Sequence, residues 1–312
     1  MSRFLSLLFL AACARRSSTT AADREPPPVF TVGDTVQRFA PGIVSTGNVF
    51  ASSFAPDGRT VFFTQATADR SRMQIMVSRW SGGRWQAPVR APFSTGERQM
   101  DPHVSPDGKT LYFTAPRRRE AVLAETDGDW DTWSVRLDEP GAVAERLSRR
   151  IALANSAEDE MYPSVTYRDE LFFGVRKRNA APGTPSEIRY ISPKIRTTPV
   201  KVVLDKAISS PSNPYITPDG RVLIVSATGS DSRKRSDLYV IKRREDGRWM
   251  DPLSLGAEVN TNDVEFCPQL SRDGQYLFFS RVHYDGDSAT GNDIYVVATR
   301  FIRPLRDALQ GR

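Results

Sequence analysis

The sequence predicts an all-β fold, a five-bladed β-propeller of four-stranded antiparallel blades, with six blades as the alternative count. Three observations predict it. One tight-turn motif recurs along the chain, and a short apolar run follows each copy. The unit repeats about every 50 to 60 residues, the span of four short strands. Composition agrees: 20 Gly and 22 Pro in 312 residues suit many short strands better than long helices.

The turns are Ala55-Pro56-Asp57-Gly58, Ser105-Pro106-Asp107-Gly108, Thr217-Pro218-Asp219-Gly220 and Ser271-Arg272-Asp273-Gly274, with a worn copy at Tyr167-Arg168-Asp169-Glu170. Pro presets φ, Asp bonds its own backbone, and Gly accepts positive φ. Each turn leads into a second strand: Val61-Phe62-Phe63, Leu111-Tyr112-Phe113, Leu171-Phe172-Phe173, Val222-Leu223-Ile224-Val225 and Leu277-Phe278-Phe279. Third strands follow after polar loops, as at Asp237-Leu238-Tyr239-Val240 and Asp293-Ile294-Tyr295-Val296. A fourth strand is expected to open at Gly83-Arg84-Trp85-Gln86-Ala87-Pro88 and again at Gly247-Arg248-Trp249-Met250-Asp251-Pro252. First strands are placed by Ser52, Pro102, Pro163, Pro214 and Pro268.

Closure is also predicted. Ser45-Thr46-Gly47 matches Ser94-Thr95-Gly96, which ends a fourth strand, while the last copy has three strands and no fourth. The N-terminal segment should therefore complete the C-terminal blade and leave no long free edge. This assigns 29–300 to the propeller and 301–312 to a tail expected to pack outside as a short helix.

The first residues read as an address. Arg3 precedes the apolar run Phe4–Ala12, too short to span a bilayer but suited to a secretion signal over 1–12. Leu10-Ala11-Ala12-Cys13 resembles the lipobox of bacterial lipoproteins. The resemblance implies cleavage before Cys13 and lipid on its sulfur. With Ala14 following rather than Asp, it implies an exported protein anchored in the outer membrane and facing the periplasm. Residues 13–28 are polar, end in three prolines and read as a tether.

The x-Pro-Asp-Gly, Leu-Tyr-Phe and Asp-Ile-Tyr blade is similar to the WD-repeat-like blades of TolB-like propeller proteins. The similarity covers nearly the whole chain after the tether. It implies an envelope protein that binds other envelope proteins. The motif specifies the fold and leaves the function open.

Chemistry is sparse. There is no Gly-x-Ser-x-Gly elbow, no His-Glu-x-x-His and no P-loop, and His103 and His283 are the only imidazoles. No metal or cofactor is expected. Asp101, Glu160, Asp263 and Glu265 fall at or just before inner-strand starts. A pair of them across the channel could cleave glycosides; alternatively they hydrogen-bond the connectors between blades. Asp285-Gly286-Asp287 with Asn292-Asp293, and Asp127-Gly128-Asp129 with Asp131, offer hard oxygen ligands but lack a calcium loop's spacing. Trp85 and Trp249, at equivalent positions, are expected to pack between blades. Cys267 is expected to be buried and inert.

Basic residues cluster in one loop type, after the second strand of three successive blades: Arg117-Arg118-Arg119, Arg176-Lys177-Arg178 and Arg233-Lys234-Arg235. Equivalent loops share a face, which predicts a cationic arc suited to carboxylate- or phosphate-bearing partners, in keeping with the net charge of +6. The reading is thus a monomeric, non-enzymatic binding module for an envelope protein or anionic glycan, membrane-held through Cys13, with no nucleic acid. The alternative is a carbohydrate-active enzyme using Asp101, Glu265 and Glu160.

Overall fold

In a computed structural model, the described residues are 32 and 34–311, apart from 96–97, 117–129, 140, 142–144, 147–151, 179–180, 182–183, 195–197, 205–207, 230–234 and 287. Residues 1–28 with Cys13, the cluster Arg117–Arg119, Arg233, Lys234, Asp127, Gly128, Asp129 and Asp287 lie outside them.

Five antiparallel sheets form among the described residues, so the six-blade count is set aside. Blade 1 holds Val49–Phe54, Thr60–Ala66, Met73–Ser81 and Val89–Arg90. Blade 2 holds Met100–Val104, Thr110–Pro116, Trp130–Arg136 and Glu145–Arg146. Blade 3 holds Asp159–Val165, Leu171–Arg176, Glu187–Ile191 and Val200–Lys201. Blade 4 holds Ile208–Ile216, Val222–Gly229, Ser236–Lys242 and Leu253–Ser254. Blade 5 holds Val264–Leu270, Tyr276–Asp285 and Ser288–Ala298. Its outer strand is Gln37–Arg38, paired to Val296 and Tyr295, which is the closure that the sequence predicts. The C-terminal residues turn through Thr299–Phe301 into the helix Arg303–Gln310.

The turns follow their chemistry. Asp57 accepts the amides of Arg59 at 2.8 Å and Thr60 at 3.0 Å, and Gly58 takes φ 66°. The worn copy is shifted by one residue: the turn is Thr166–Asp169, and Asp169 itself takes the left-handed position at φ 56°. Asp tolerates that region without the glycine. The fourth strands also start later than expected. Trp85 closes a small hairpin with Trp80, and the strand begins at Val89, after Pro88, which has no N–H for a ladder. Trp249 likewise bridges to Arg243 ahead of Pro252.

Apolar faces of neighbouring blades meet in separate cores. Phe278, Ile294 and Val296 of blade 5 pack on Val49, Val61, Phe63 and Trp85 of blade 1, with Phe39 edge-on to Phe278 at 5.3 Å. Leu305 and Ala308 bury one face of the C-terminal helix against Leu238, Val240 and Val297. Most fully buried large side chains come from second strands, among them Phe63, Phe113, Phe172, Phe173, Phe278 and Phe279.

The two faces differ. First-to-second-strand connections are tight turns, Asp-Gly in four blades and Thr166–Asp169 in blade 3. Second-to-third-strand connections emerge on the opposite, loop face, where the inner strands begin.

Candidate functional site at the propeller axis

Each inner strand carries, at an equivalent position, a bulge whose residue is in the left-handed region: Ala51 (φ 53°), Asp101 (57°), Tyr162 (59°), Asn213 (47°) and Cys267 (48°); the blade 4 strand has a second bulge, at Ser210 (49°). None of the equivalent five is glycine, and four of them precede proline, which normally drives the residue before it to extended backbone. Such conformations cost about 1–3 kcal/mol each and persist only where surroundings enforce them. Here the neighbouring blade does so. The amides of Ala51, Asp101 and Tyr162 donate to the hydroxyls of Ser280, Thr64 and Thr114, at 3.0, 3.0 and 3.1 Å. Gly174 stands at the equivalent place in blade 3, where a Cβ would lie 3.2 Å from the Tyr162 ring.

A second seam lies below. The amides of Val104, Val165 and Ile216 donate to Ser53 Oγ, His103 Nε2 and Ser164 Oγ, at 2.9, 3.1 and 3.0 Å. His103 thus does the work that serine does in blades 1 and 3. Burial holds its pKa down at about 4, so the ring is neutral with its proton on Nδ1.

The equivalent bulges surround an axial cavity lined by Ser52, Asp101, Tyr162, Asn213, Cys267 and Gln269, among others. It leaves about 30 Å³ for water. A water needs roughly 10–15 Å³ by this measure, so about two fit and a sugar ring does not. Asp101 is 4% exposed, and neither of its carboxyl oxygens has a hydrogen-bond partner among the described residues. Burial pushes its pKa up to about 7, opposed only by the nearby Thr114 hydroxyl. Ser52 Oγ is likewise unpartnered. Asn213 receives Ser226 Oγ at 2.6 Å and donates to Cys267 Sγ at 3.3 Å. Burial first, and the Asp101 charge second, hold the Cys267 thiol well above its usual range.

The other sequence-predicted carboxylates do not line this cavity. Glu265 accepts Thr261 Oγ1 at 2.7 Å, the Thr261 amide at 3.2 Å and Arg281 Nε at 2.7 Å. Glu160 takes the Ser156 amide at 3.0 Å and the Ser156 hydroxyl. Both therefore bind the connector four residues upstream. Asp263 sits on the loop face, 3.7 Å from His283 Nδ1. Asn292 and Asp293 hold the ring closed, through Val49 O at 2.8 Å and the Gly47 amide at 2.8 Å. Among the described residues no group of three or more His, Cys, Asp or Glu is placed to hold a metal ion.

The described basic residues are partly tied down. Arg176 and Arg178 grip the buried Asp159 at 2.9 and 3.3 Å. Arg235 lies over the Tyr284 ring at 4.2 Å and donates to Asn262 O. Lys177 is exposed. The equivalent loop of blade 1 escaped the sequence reading because its two exposed cations, Arg70 and Arg72, are split by Ser71 and form no basic run. Arg70 is exposed, crosses to Asn292 Oδ1 at 3.3 Å, and lies near enough to Cys267 to pull its pKa down slightly. Trp85 and Trp249 pack between blades, edge-on to Phe39 and Phe172 at 5.4 and 6.1 Å.

No protein-family profile matches this chain, and no curated protein matches it in sequence. Solved structures do. A thermostable family-43 glycoside hydrolase is 12% identical, with 84% of this chain and 92% of that one covered and a TM-score of 0.57. An α-L-arabinofuranosidase from Podospora anserina, solved with cellotriose, is 12% identical over 86% and 98% of the two chains, with a TM-score of 0.50. TolB from Acinetobacter baumannii is 15% identical, with a TM-score of 0.45 over 81% of this chain; the chain spans about half, 54%, of that TolB. At these identities the likeness shows the fold alone: this chain is a five-bladed β-propeller.

Proposed function

We propose that this propeller is a non-enzymatic binding module of the bacterial cell envelope, held at the membrane through Cys13, that engages an envelope protein or anionic glycan with its loop face. The observation that carries this reading is the axis: one carboxylate and room for about two waters. Cleaving a glycosidic bond takes two carboxylates flanking a sugar, and Glu160 and Glu265 are engaged elsewhere. That leaves the faces. One face carries the tight turns and the third-to-fourth-strand connections, while the loop face carries the second-to-third-strand connections with Arg70 and Lys177, next to the mouth of the axis, and loops are where binding residues concentrate. Affinity capture from solubilised envelopes tests it. A near-stoichiometric partner, lost when Arg70 and Lys177 are changed to Glu, is expected. A partner retained by that variant sinks the loop-face assignment.

The second reading, a carbohydrate-active enzyme, keeps one observation: Asp101 is a buried carboxyl with a pKa near 7, as a general acid requires. Turnover of any glycan by the native protein, abolished in Asp101→Asn with the fold intact, would establish it over the first.

A further inference from the structure

On the turn side, at the outer edges of blades 4 and 5, a groove of about 460 Å³ runs between the short strand Leu253–Ser254 and the C-terminal helix. Val240, Met250, Leu253, Pro304 and Ala308 make most of its surface apolar, and Lys242, Asp251 and Asp307 line it as well. Its rim is open: Met250 is 40% exposed, Leu253 56%, and Phe301, at the helix approach, 37%. Cations surround these side chains. Arg300 stacks on Phe301 at 4.5 Å, and the Arg303 side chain, 85% exposed, lines the groove beside Asp307, 3.8 Å away. Arg244 is exposed on the adjoining hairpin, near enough to Asp246 to help lower its pKa, and Arg300 is exposed too.

Topology places the chain's approach at the same end. Gln37 pairs with Val296, and the antiparallel register sets Val36 beside the exit of the third strand into Thr299–Phe301. Val36 packs on the same core as Leu305 and Leu309. Further upstream, Val32 packs with Phe39 and Trp85 at the seam of blades 5 and 1, so the chain reaches blade 5 from the blade 1 side, on the face that carries this patch.

We infer that this patch docks on the surface of an anionic phospholipid bilayer, with Met250, Leu253 and Phe301 entering the headgroup layer and Arg244, Arg300 and Arg303 meeting lipid phosphates. Exposed apolar side chains rimmed by arginines are the chemistry of interfacial binding. A protein partner would need matching acids, whereas a bilayer supplies anions at any register. The inference extends the anchored reading above. Docking would turn the loop face away from the membrane, toward partners.

The test is amide hydrogen exchange on the full chain in vesicles of phosphatidylcholine alone and of phosphatidylcholine with phosphatidylglycerol. Exchange across 243–254 and 299–310 should slow in the anionic vesicles only. Protection should fall about fivefold for each of Arg244→Gln, Arg300→Gln and Arg303→Gln, from the roughly 1 kcal/mol that each basic residue gains near such a surface. Unchanged exchange in the inner strands certifies the fold of each variant. Equal exchange in both lipids, or protection that survives all three substitutions, overturns the inference. Palmitate labelling of Cys13 in cells separates the two claims. Label without protection removes the docking and keeps the anchor; protection without label does the reverse.

Discussion

His103 Nε2 accepts the Val165 amide at 3.1 Å across the seam between blades 2 and 3, where blades 1 and 3 use Ser53 and Ser164. An acceptor nitrogen must stay unprotonated, and burial keeps it so, with the pKa lowered from 6.5 to about 4. The unfolded chain binds this proton below about pH 6.5, and the folded protein only below about 4. Stability should thus fall as pH drops through that window, by about 3 kcal/mol. In His103→Ser this contribution should vanish, at a loss of roughly 1–2 kcal/mol at pH 7 for the weakened bond. Urea unfolding at pH 7 and pH 4 measures both. An acid-dependent loss of equal size in the variant would show that other groups cause it.

Asp101 acts in the opposite direction. Its pKa is raised from 3.8 to about 7, so the folded state resists the charge that the unfolded chain accepts above pH 4. Stability is fully present below about pH 4 and declines as pH rises through 7. Asp101→Asn cannot ionise and should gain on the native protein by about 4 kcal/mol between pH 4 and pH 8. Parallel unfolding curves for the two across that range would mean that a counter-charge reaches the carboxylate.

The blade plan was readable because its signals are local. Pro56, Asp57 and Gly58 define a turn within four residues, and the aromatic run after it defines a strand. The axial ring was not readable, because local rules point the other way. Asp101, Tyr162, Asn213 and Cys267 each precede a proline, which favours extended backbone, yet all four are left-handed, and the hydroxyls of Thr64 and Thr114 on the adjacent blades help hold the first two so. The late start of the outer strands was hidden for a related reason: two-residue pairings such as Val89–Arg90 are set by the neighbouring strand and leave almost no periodicity. Glu160 and Glu265 were placed correctly in the repeat. Their partners depend on where the connector folds back, which spacing alone does not fix.

Glu265 joins the connector to the blade as well as to Arg281. Its side chain is fully buried, and the Arg281 side chain is 12% exposed. Removing one member strands the other charge, so Glu265→Ala should cost about 3–5 kcal/mol. Glu265→Gln keeps the shape and one acceptor and should cost less. Chemical denaturation checks the order. A loss under 1 kcal/mol for the Ala variant would show that the Arg281 guanidinium finds water or another acceptor once the carboxylate is gone.

Thiol counting tests burial and anchoring together. The Cys267 thiol is buried, bonded to Asn213 Nδ2 at 3.3 Å and held protonated, so a thiol reagent should leave it untouched in the native protein. Its labelling rate should track unfolding and rise with denaturant. The denatured, membrane-derived protein should then release one equivalent, from Cys267, if Cys13 carries a thioether-linked lipid, and two if its sulfur is free. Rapid labelling of Cys267 under native conditions would mean that the axial cavity opens to solvent, and with it the low-dielectric setting on which the Asp101 and His103 predictions depend.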